Sequence, residues 1–262
     1  MTGIPELGKK LAVAGRLKLR PLCVYGTDVV PSGAVTSHLV DRCMAKAVYA
    51  SALYEQTPPI YVEAAHEACC MGGRTWMGLT EPHPKLKYFV TVGAPDFRGG
   101  AAEHLKATPE LFDKYKARAG KITPPDKYLV ISPCDEGIPG DRVRSFIVFA
   151  GAEQIRNLCG LAQFNSGDTF FKTLIPGGPT CATMITYPSG MAADAPKDAA
   201  FIGPVDPTGN VWLPPDLLVM GIPLALAERM AADADESFIG RRSRIAYPEH
   251  RVTVKPFDAT GK

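Results

Sequence analysis

The sequence predicts an α/β fold, with α+β as the alternative, from three observations: alternating strand and helix signals, Gly and Pro punctuation, and a series of elements that recurs. Short runs rich in β-branched and aromatic residues stand at Leu22 to Tyr25, Ile60 to Glu63, Tyr88 to Val92, Tyr128 to Ser132, Ser145 to Phe149, Phe170 to Ile175 and Ala200 to Val205. Most are bounded by Gly or Pro. Between them, helical spacing of apolar residues is expected over Ser37 to Tyr54, Pro109 to Ala119, Ala152 to Phe164 and Pro215 to Ala232. Proline stands near the start of the second and fourth, where its missing N–H costs nothing. Strands and helices that alternate in this way argue for layers rather than for a bundle or a sandwich.

The recurring series runs from residue 60 as strand, glycine-rich loop with cysteine, short helix, strand and proline-started helix, and again from residue 169. Cys70 to Cys181 is an offset of 111, Tyr88 to Ala200 one of 112, and Pro109 to Pro215 one of 106. Leu22 to Tyr25 with its following helix parallels Ser145 to Phe149 with its own. The expectation is one domain over 1–262, containing two pseudo-repeated β-α-β-loop-β-α halves, about 15–125 and 126–240, packed around a shared cleft. Ligand pockets prefer such seams because two rigid surfaces meet there with loops from both. A basic arm follows at 241–262 and suits a surface or homo-oligomer contact.

Composition narrows the function. Hydrophobic residues at 46% and charged residues at 21% suit a chain that folds alone around a sizeable core. A formal charge of +2 gives no field that favours phosphate backbones or anionic lipid, so neither nucleic acid nor membrane is expected as a partner. No apolar stretch is long enough to span a bilayer, and Leu11 to Ala14 is too short for a signal-peptide core, so the expected location is cytoplasmic. Seven cysteines, an odd number in a chain without an export signal, argue against a disulfide framework. Buried apolar thiols, metal ligands and reactive thiolates remain.

The richest cluster is His66-Glu67-Ala68-Cys69-Cys70-Met71-Gly72-Gly73-Arg74, which follows a strand and opens a helix. Its glycines allow close backbone approach, a helix start stabilises a thiolate or a bound carboxylate, and Arg74 adds a positive group. Gly177-Gly178-Pro179-Thr180-Cys181 again sets a cysteine where a glycine-rich loop meets a helix, and Cys43 stands at a helix start in Asp41-Arg42-Cys43-Met44. Adjacent cysteines point apart, so one of Cys69 and Cys70 faces the site while the other packs inward. Cys23 in an apolar strand and Cys159 in an amphipathic helix read as core. Cys134 on a polar loop and His66 stay open as further ligands. Tight turns with buried thiols are the plain alternative, since compact C-x-x-C pairs are missing. P-loop, G-x-G-x-x-G, G-x-S-x-G, kinase and paired-histidine motifs are also missing, which counts against nucleotide and serine-hydrolase chemistry.

Asp41 to Ala47, Ala68 to Gly73 with Gly78-Leu79, Thr180-Cys181-Ala182 and Met220-Gly221-Ile222-Pro223 together resemble the DUF169 family of bacteria and archaea, over residues 15 to 235. The resemblance implies a cysteine-bearing protein associated with iron–sulfur or metal chemistry, with Cys43, Cys70 and Cys181 on the recurrent cysteine positions and Cys69 as bystander. This chain departs from the family at Gly203-Pro204-Val205-Asp206-Pro207, where relatives carry a further Gly-Cys segment.

Three distant thiolates meeting at the seam would select iron–sulfur, zinc or copper(I) over magnesium or calcium. The expected cofactor is a [4Fe-4S] cluster, with zinc or no metal as alternatives. The expected partner is a small anionic organic molecule held by Arg74, Gly72, Gly73, Gly178 and Thr180, and the expected chemistry is that of an oxidoreductase or lyase. Two other readings stand beside it: a metal-free binding protein using the same loops, and an enzyme with Cys70 as nucleophile.

Overall fold

The computed structural model describes residues 3–36, 43–63, 69–135, 137–170, 172–204, 206 and 208–241. Its strands are β1 (Leu22–Thr27), β2 (Val35–Thr36), β3 (Ile60–Glu63), β4 (Tyr128–Pro133), β5 (Val143–Gly151), β6 (Thr173–Leu174), β7 (Ala200–Gly203) and β8 (Leu217–Pro223). They form one mixed sheet in the order β2-β3-β4-β1-β5-β8-β7-β6. The outermost pairs, β2 with β3 and β6 with β7, are parallel. Every other pair is antiparallel. The fold is therefore α/β, as the alternation of elements predicts.

Side chains alternate across a strand, so each central strand feeds two cores. Cys23 and Tyr25 of β1 and Phe146, Val148 and Ala150 of β5 face one layer. That layer is α1 (Ile4–Gly15), α6 (Ala152–Gln163) and α7 (Leu224–Asp233), whose apolar stripes include Leu7, Leu11, Leu158, Leu161, Leu226 and Met230. Leu22 and Val24 of β1 with Ile147 and Phe149 of β5 face the other way, towards α2 (Met44–Leu53) and a π-helical turn at Ala182–Thr186. Three shorter helices are also present among the described residues: α3 (Met71–Trp76), α4 (Leu86–Val90) and α5 (Pro109–Ala117), the last capped by the Thr108 hydroxyl accepting from Leu111 N–H at 3.3 Å. Among the described residues no helix is long and apolar enough to cross a membrane.

Several sequence expectations are corrected. The apolar run Tyr88 to Val92 is not a strand but falls in and after α4, closed by Gly93 at φ 82°, whose N–H reaches Tyr88 O at 2.7 Å. Residues Leu217 to Pro223, expected as helix, form the central strand β8, and the helix begins only at Leu224. Both runs are short and apolar, so periodicity does not separate strand from helix in them: Leu217 to Pro223 is mostly buried, whereas Tyr88 and Val92 are exposed. Phe170 to Ile175 contracts to the two residues of β6, while β2 and α1 were unforeseen. The helix expected over Ser37 to Tyr54 is seen from Met44, with 37–42 outside the described residues. Two landmarks of the expected repeat, Tyr88 with Ala200 and Pro109 with Pro215, thereby pair unlike elements. The arm from 242 onwards also lies outside the described residues.

Buried tyrosines make stability depend on alkaline pH. Burial holds the Tyr25 and Tyr187 phenols up at about 12, with Cys23 adding to the rise at Tyr25. An unfolded tyrosine titrates near about 10. The folded chain thus keeps protons that the unfolded chain releases, so their contribution is whole below about pH 10 and is lost as pH rises through about 12. Denaturant midpoints should fall across that window. A flat profile there would show that these phenols are not buried as described.

Candidate functional site

Gly73, in α3, organises the thiols. A Cβ placed on it would stand 3.1 Å from Cys69 Sγ, 3.5 Å from Cys70 Sγ and 3.6 Å from Cys181 Sγ. The sulfurs of the adjacent Cys69 and Cys70 and of the sequence-distant Cys181 therefore lie about one point, and no two of them can be farther apart than the sum of their distances to it. Only glycine leaves that point empty. The neighbouring Gly72 is different, since a Cβ there would meet nothing within 4 Å.

Local structure fixes each thiol. Cys70 caps α3, its Sγ accepting from Gly73 N–H at 3.3 Å, and it is exposed. Cys69 is buried, and its Sγ donates to Cys70 O at 3.6 Å. Cys181 is buried immediately before the π-helical turn, a rare geometry that recurs at functional sites. Thr186 at the end of that turn donates its hydroxyl to Trp76 O, which ties the turn to α3. Cys43 is the N-cap of α2, and the N–H of Ala45 in the first turn of that helix favours a thiolate at Cys181.

The four thiols act on one another electrostatically. Burial pushes Cys69 up to about 12, with the charges of Cys70 and Cys43 adding to the rise and Arg74 opposing it. Cys181 is raised well above the ordinary thiol range, first by burial and then by Cys70, Cys69 and Cys43. Without a cation the buried pair stays protonated. Among the described residues, no group of three or more His, Cys, Asp or Glu side chains is arranged to hold a metal ion.

A cavity of about 310 Å³ opens beside the thiols, its walls drawn from before and after residue 126. Cys43, Cys70 and Cys181 line it together with Gly72, Gly73, Gly178 and Thr180. Its apolar side includes Trp76, Phe89 and Phe112, and its charged side chains are Arg98, Glu103, Lys106 and Asp206. Arg98 lies over the Phe89 ring at 4.6 Å and Lys106 over the Tyr115 ring at 4.8 Å. Neither cation makes an ion pair among the described residues. Burial, then the Asp206 carboxylate, holds the half-buried Glu103 carboxyl above its ordinary range. Thr180 is 2% exposed, and its hydroxyl has no hydrogen-bond partner among the described residues.

The model of the family DUF169, described as "Uncharacterised ArCR", matches residues 10–233 of the 262. This chain belongs to the DUF169 family. No curated protein and no solved structure gives a significant match.

In this DUF169 chain the structure treats the sequence-predicted residues unequally. Cys43, Cys70 and Cys181 share the cavity, as do Gly72, Gly73, Gly178 and Thr180. Cys69, expected to point away, has the sulfur nearest the Gly73 position. Arg74 is not part of the cavity lining; its Nε is buried without a partner among the described residues, and its charge acts on Cys69. Cys134 packs with Cys23 on the other face of the sheet, its Sγ donating to Pro21 O at 3.4 Å, and so does not meet the other thiols. Cys159 packs partly buried against that same core. His66 lies outside the described residues. Sequence reasoning missed Arg98, Glu103, Lys106 and Asp206. The signals for them were Phe97-Arg98-Gly99-Gly100, a basic residue in a second glycine-rich loop, and the departing segment Gly203 to Pro207 that contains Asp206.

Proposed function

We propose that this protein holds a thiophilic metal centre, a [4Fe-4S] cluster or a zinc or copper(I) site, through Cys43, Cys70 and Cys181. It acts on a small anionic organic molecule in the adjoining cavity. The observation that carries the proposal is the convergence of the Cys69, Cys70 and Cys181 sulfurs on the empty position at Gly73, with Cys43 on the wall of the same cavity, so that Cys69 joins the candidate donors. The donor set fits such a group: thiolates are soft ligands, and the missing side chain leaves a cradle that any Cβ would fill. A positive centre is also what would stabilise thiolates that otherwise raise one another's pKa. When bound, the centre would supply Lewis-acid or electron-transfer chemistry, which suits a lyase or an oxidoreductase.

The chain's own residues then have separable tasks. Arg98 and Lys106, held over aromatic rings rather than spent on carboxylates, attract and orient the anion in place of Arg74. Trp76, Phe89 and Phe112 exclude water around its body. Glu103, whose carboxyl keeps its proton to higher pH than usual, is placed to give or take a proton in the same space.

The second reading is a metal-free pocket for the same anion, favoured because no group of three or more His, Cys, Asp or Glu side chains among the described residues is arranged to hold an ion. Protein purified without oxygen separates the two. A broad visible absorption with roughly four iron and four sulfide per chain is the expected result, lost when Cys43, Cys70 and Cys181 are replaced together by serine. Colourless protein free of iron, zinc and copper, unchanged by the triple substitution, would establish the metal-free pocket instead.

A further inference from the structure

The cavity carries charge of both signs, and a simple anion would use only half of it. Its lining holds two cations, Arg98 and Lys106, and two carboxylates, Glu103 and Asp206. Among the described residues none of the four is in an ion pair. The cations lie over the Phe89 and Tyr115 rings instead. The rest of the wall is mainly apolar and includes Trp76, Leu105 and Phe112.

The two carboxylates lie close enough to act on each other. Burial and then the Asp206 charge hold the Glu103 carboxyl above its ordinary range, while the Thr208 hydroxyl and Arg98 oppose the rise. That same Thr208 hydroxyl donates to Asp206 Oδ1 at 3.1 Å. The backbone fixes both residues: Gly209 N–H donates to Asp206 Oδ1 at 3.0 Å, and Glu103 N–H donates to Phe89 O at 2.8 Å. Two neighbouring carboxylates repel each other, and a cation beside them removes that repulsion. No group of three or more metal-binding side chains is found among the described residues, so the fitting cation is organic, an ammonium with three N–H donors. Thr180 reports a ligand independently. It lines the same cavity, is 2% exposed, and its hydroxyl has no hydrogen-bond partner among the described residues. Buried hydroxyls are nearly always paired, so a polar group of a bound molecule is its expected partner.

We infer that Glu103 and Asp206 form an ammonium subsite, and that the cavity takes an amino acid with an apolar side chain, its carboxylate on Arg98 and Lys106. The inference rests on the anion-binding part of the function proposed above and is the same with or without a metal on the thiols. Size agrees, since about 310 Å³ is at the small end for a ligand site. Each part of an amino acid then meets its complement, with the side chain against the aromatic wall. An acid without the amine leaves the two carboxylates unpaired, and an amine without the acid leaves the two cations unpaired.

Calorimetric titration of protein purified without oxygen tests this with two matched sets. One is phenylalanine, 3-phenylpropanoate and phenethylamine; the other is leucine, 4-methylpentanoate and 3-methylbutylamine. At least one amino acid is expected to bind about tenfold tighter than both of its analogues. Glu103→Gln and Asp206→Asn should each weaken that amino acid about tenfold and leave its deaminated acid as tight as before. The asparagine keeps an oxygen to accept from Gly209 N–H, so the turn retains its cap. Arg98→Asn, a residue that tolerates the φ of 50° found there, should weaken the amino acid and the deaminated acid alike. Melting temperatures check the variants, and the wild-type comparison stands by itself should one melt lower. If the deaminated acids bind as tightly as the amino acids, the ammonium subsite is wrong and the anion reading alone survives. If neither kind of acid binds at millimolar concentration, the anion reading fails and the inference falls with it.

Discussion

Replacing Gly73 by valine should empty the thiol site of metal, at least tenfold by iron or zinc content per chain, while Gly72→Ala leaves the content unchanged. The two glycines are adjacent in the same short helix, so propensity treats them alike. Their surroundings do not. A Cβ at 73 would be 3.1 Å from Cys69 Sγ and close to two further sulfurs, whereas one at 72 meets open space. Valine adds two more carbons to a point already claimed by three thiols, which spreads the sulfurs and costs about 1–3 kcal/mol in overpacking. Gly72→Ala should instead gain roughly 0.5–1 kcal/mol from the stiffer unfolded chain. Metal analysis beside a melting curve reads both effects. Should Gly73→Val hold as much metal as Gly72→Ala, these sulfurs are not its ligands.

Gly221→Ala is expected to be strongly destabilising for a single added methyl group. Gly221 lies on β8 between β5 and β7. Its Cβ would meet Pro188 Cγ and Thr183 O at 2.6 Å each and Met184 Cα at 3.2 Å. Two of those three atoms are backbone of the π-helical turn, which cannot rotate aside as a side-chain end can. Either β8 or the turn must shift, and the turn carries Cys181 at its start. A cost of roughly 3 kcal/mol, at the upper end for overpacking, would lower Tm by about 6–10 °C in a chain of this size. Gly167→Ala, where nothing lies within 4 Å, is the control and should leave Tm unchanged. An equal Tm for both variants would mean that the sheet and the turn are not packed as tightly as described.

Much of the site was legible in the sequence because thiols and glycines are rare enough to be noticed and their loops are written contiguously. Cys70 with Gly72 and Gly73, and Gly178 with Thr180 and Cys181, each belong to one loop, and all of them line the same cavity. The choice between Cys69 and Cys70 was not legible, because it depends on where a neighbouring backbone leaves room. Gly73 leaves room for both. The opposite wall was missed for another reason. Arg98, Glu103, Lys106 and Asp206 are ordinary charged residues on loops, indistinguishable in sequence from solvated surface. Cys134 shows the reverse error: its polar neighbours suggested exposure, while pairing of β4 with β1 carries it in beside Cys23.

By itself the sequence determined the class of fold, through apolar runs whose spacing records burial, and the family, through motifs held in order along the chain. Tertiary structure decided which elements answer one another and which charged groups share a space with the sulfurs. Strand order and the contents of a cavity depend on contacts between residues far apart in the chain, and no local pattern encodes those distances.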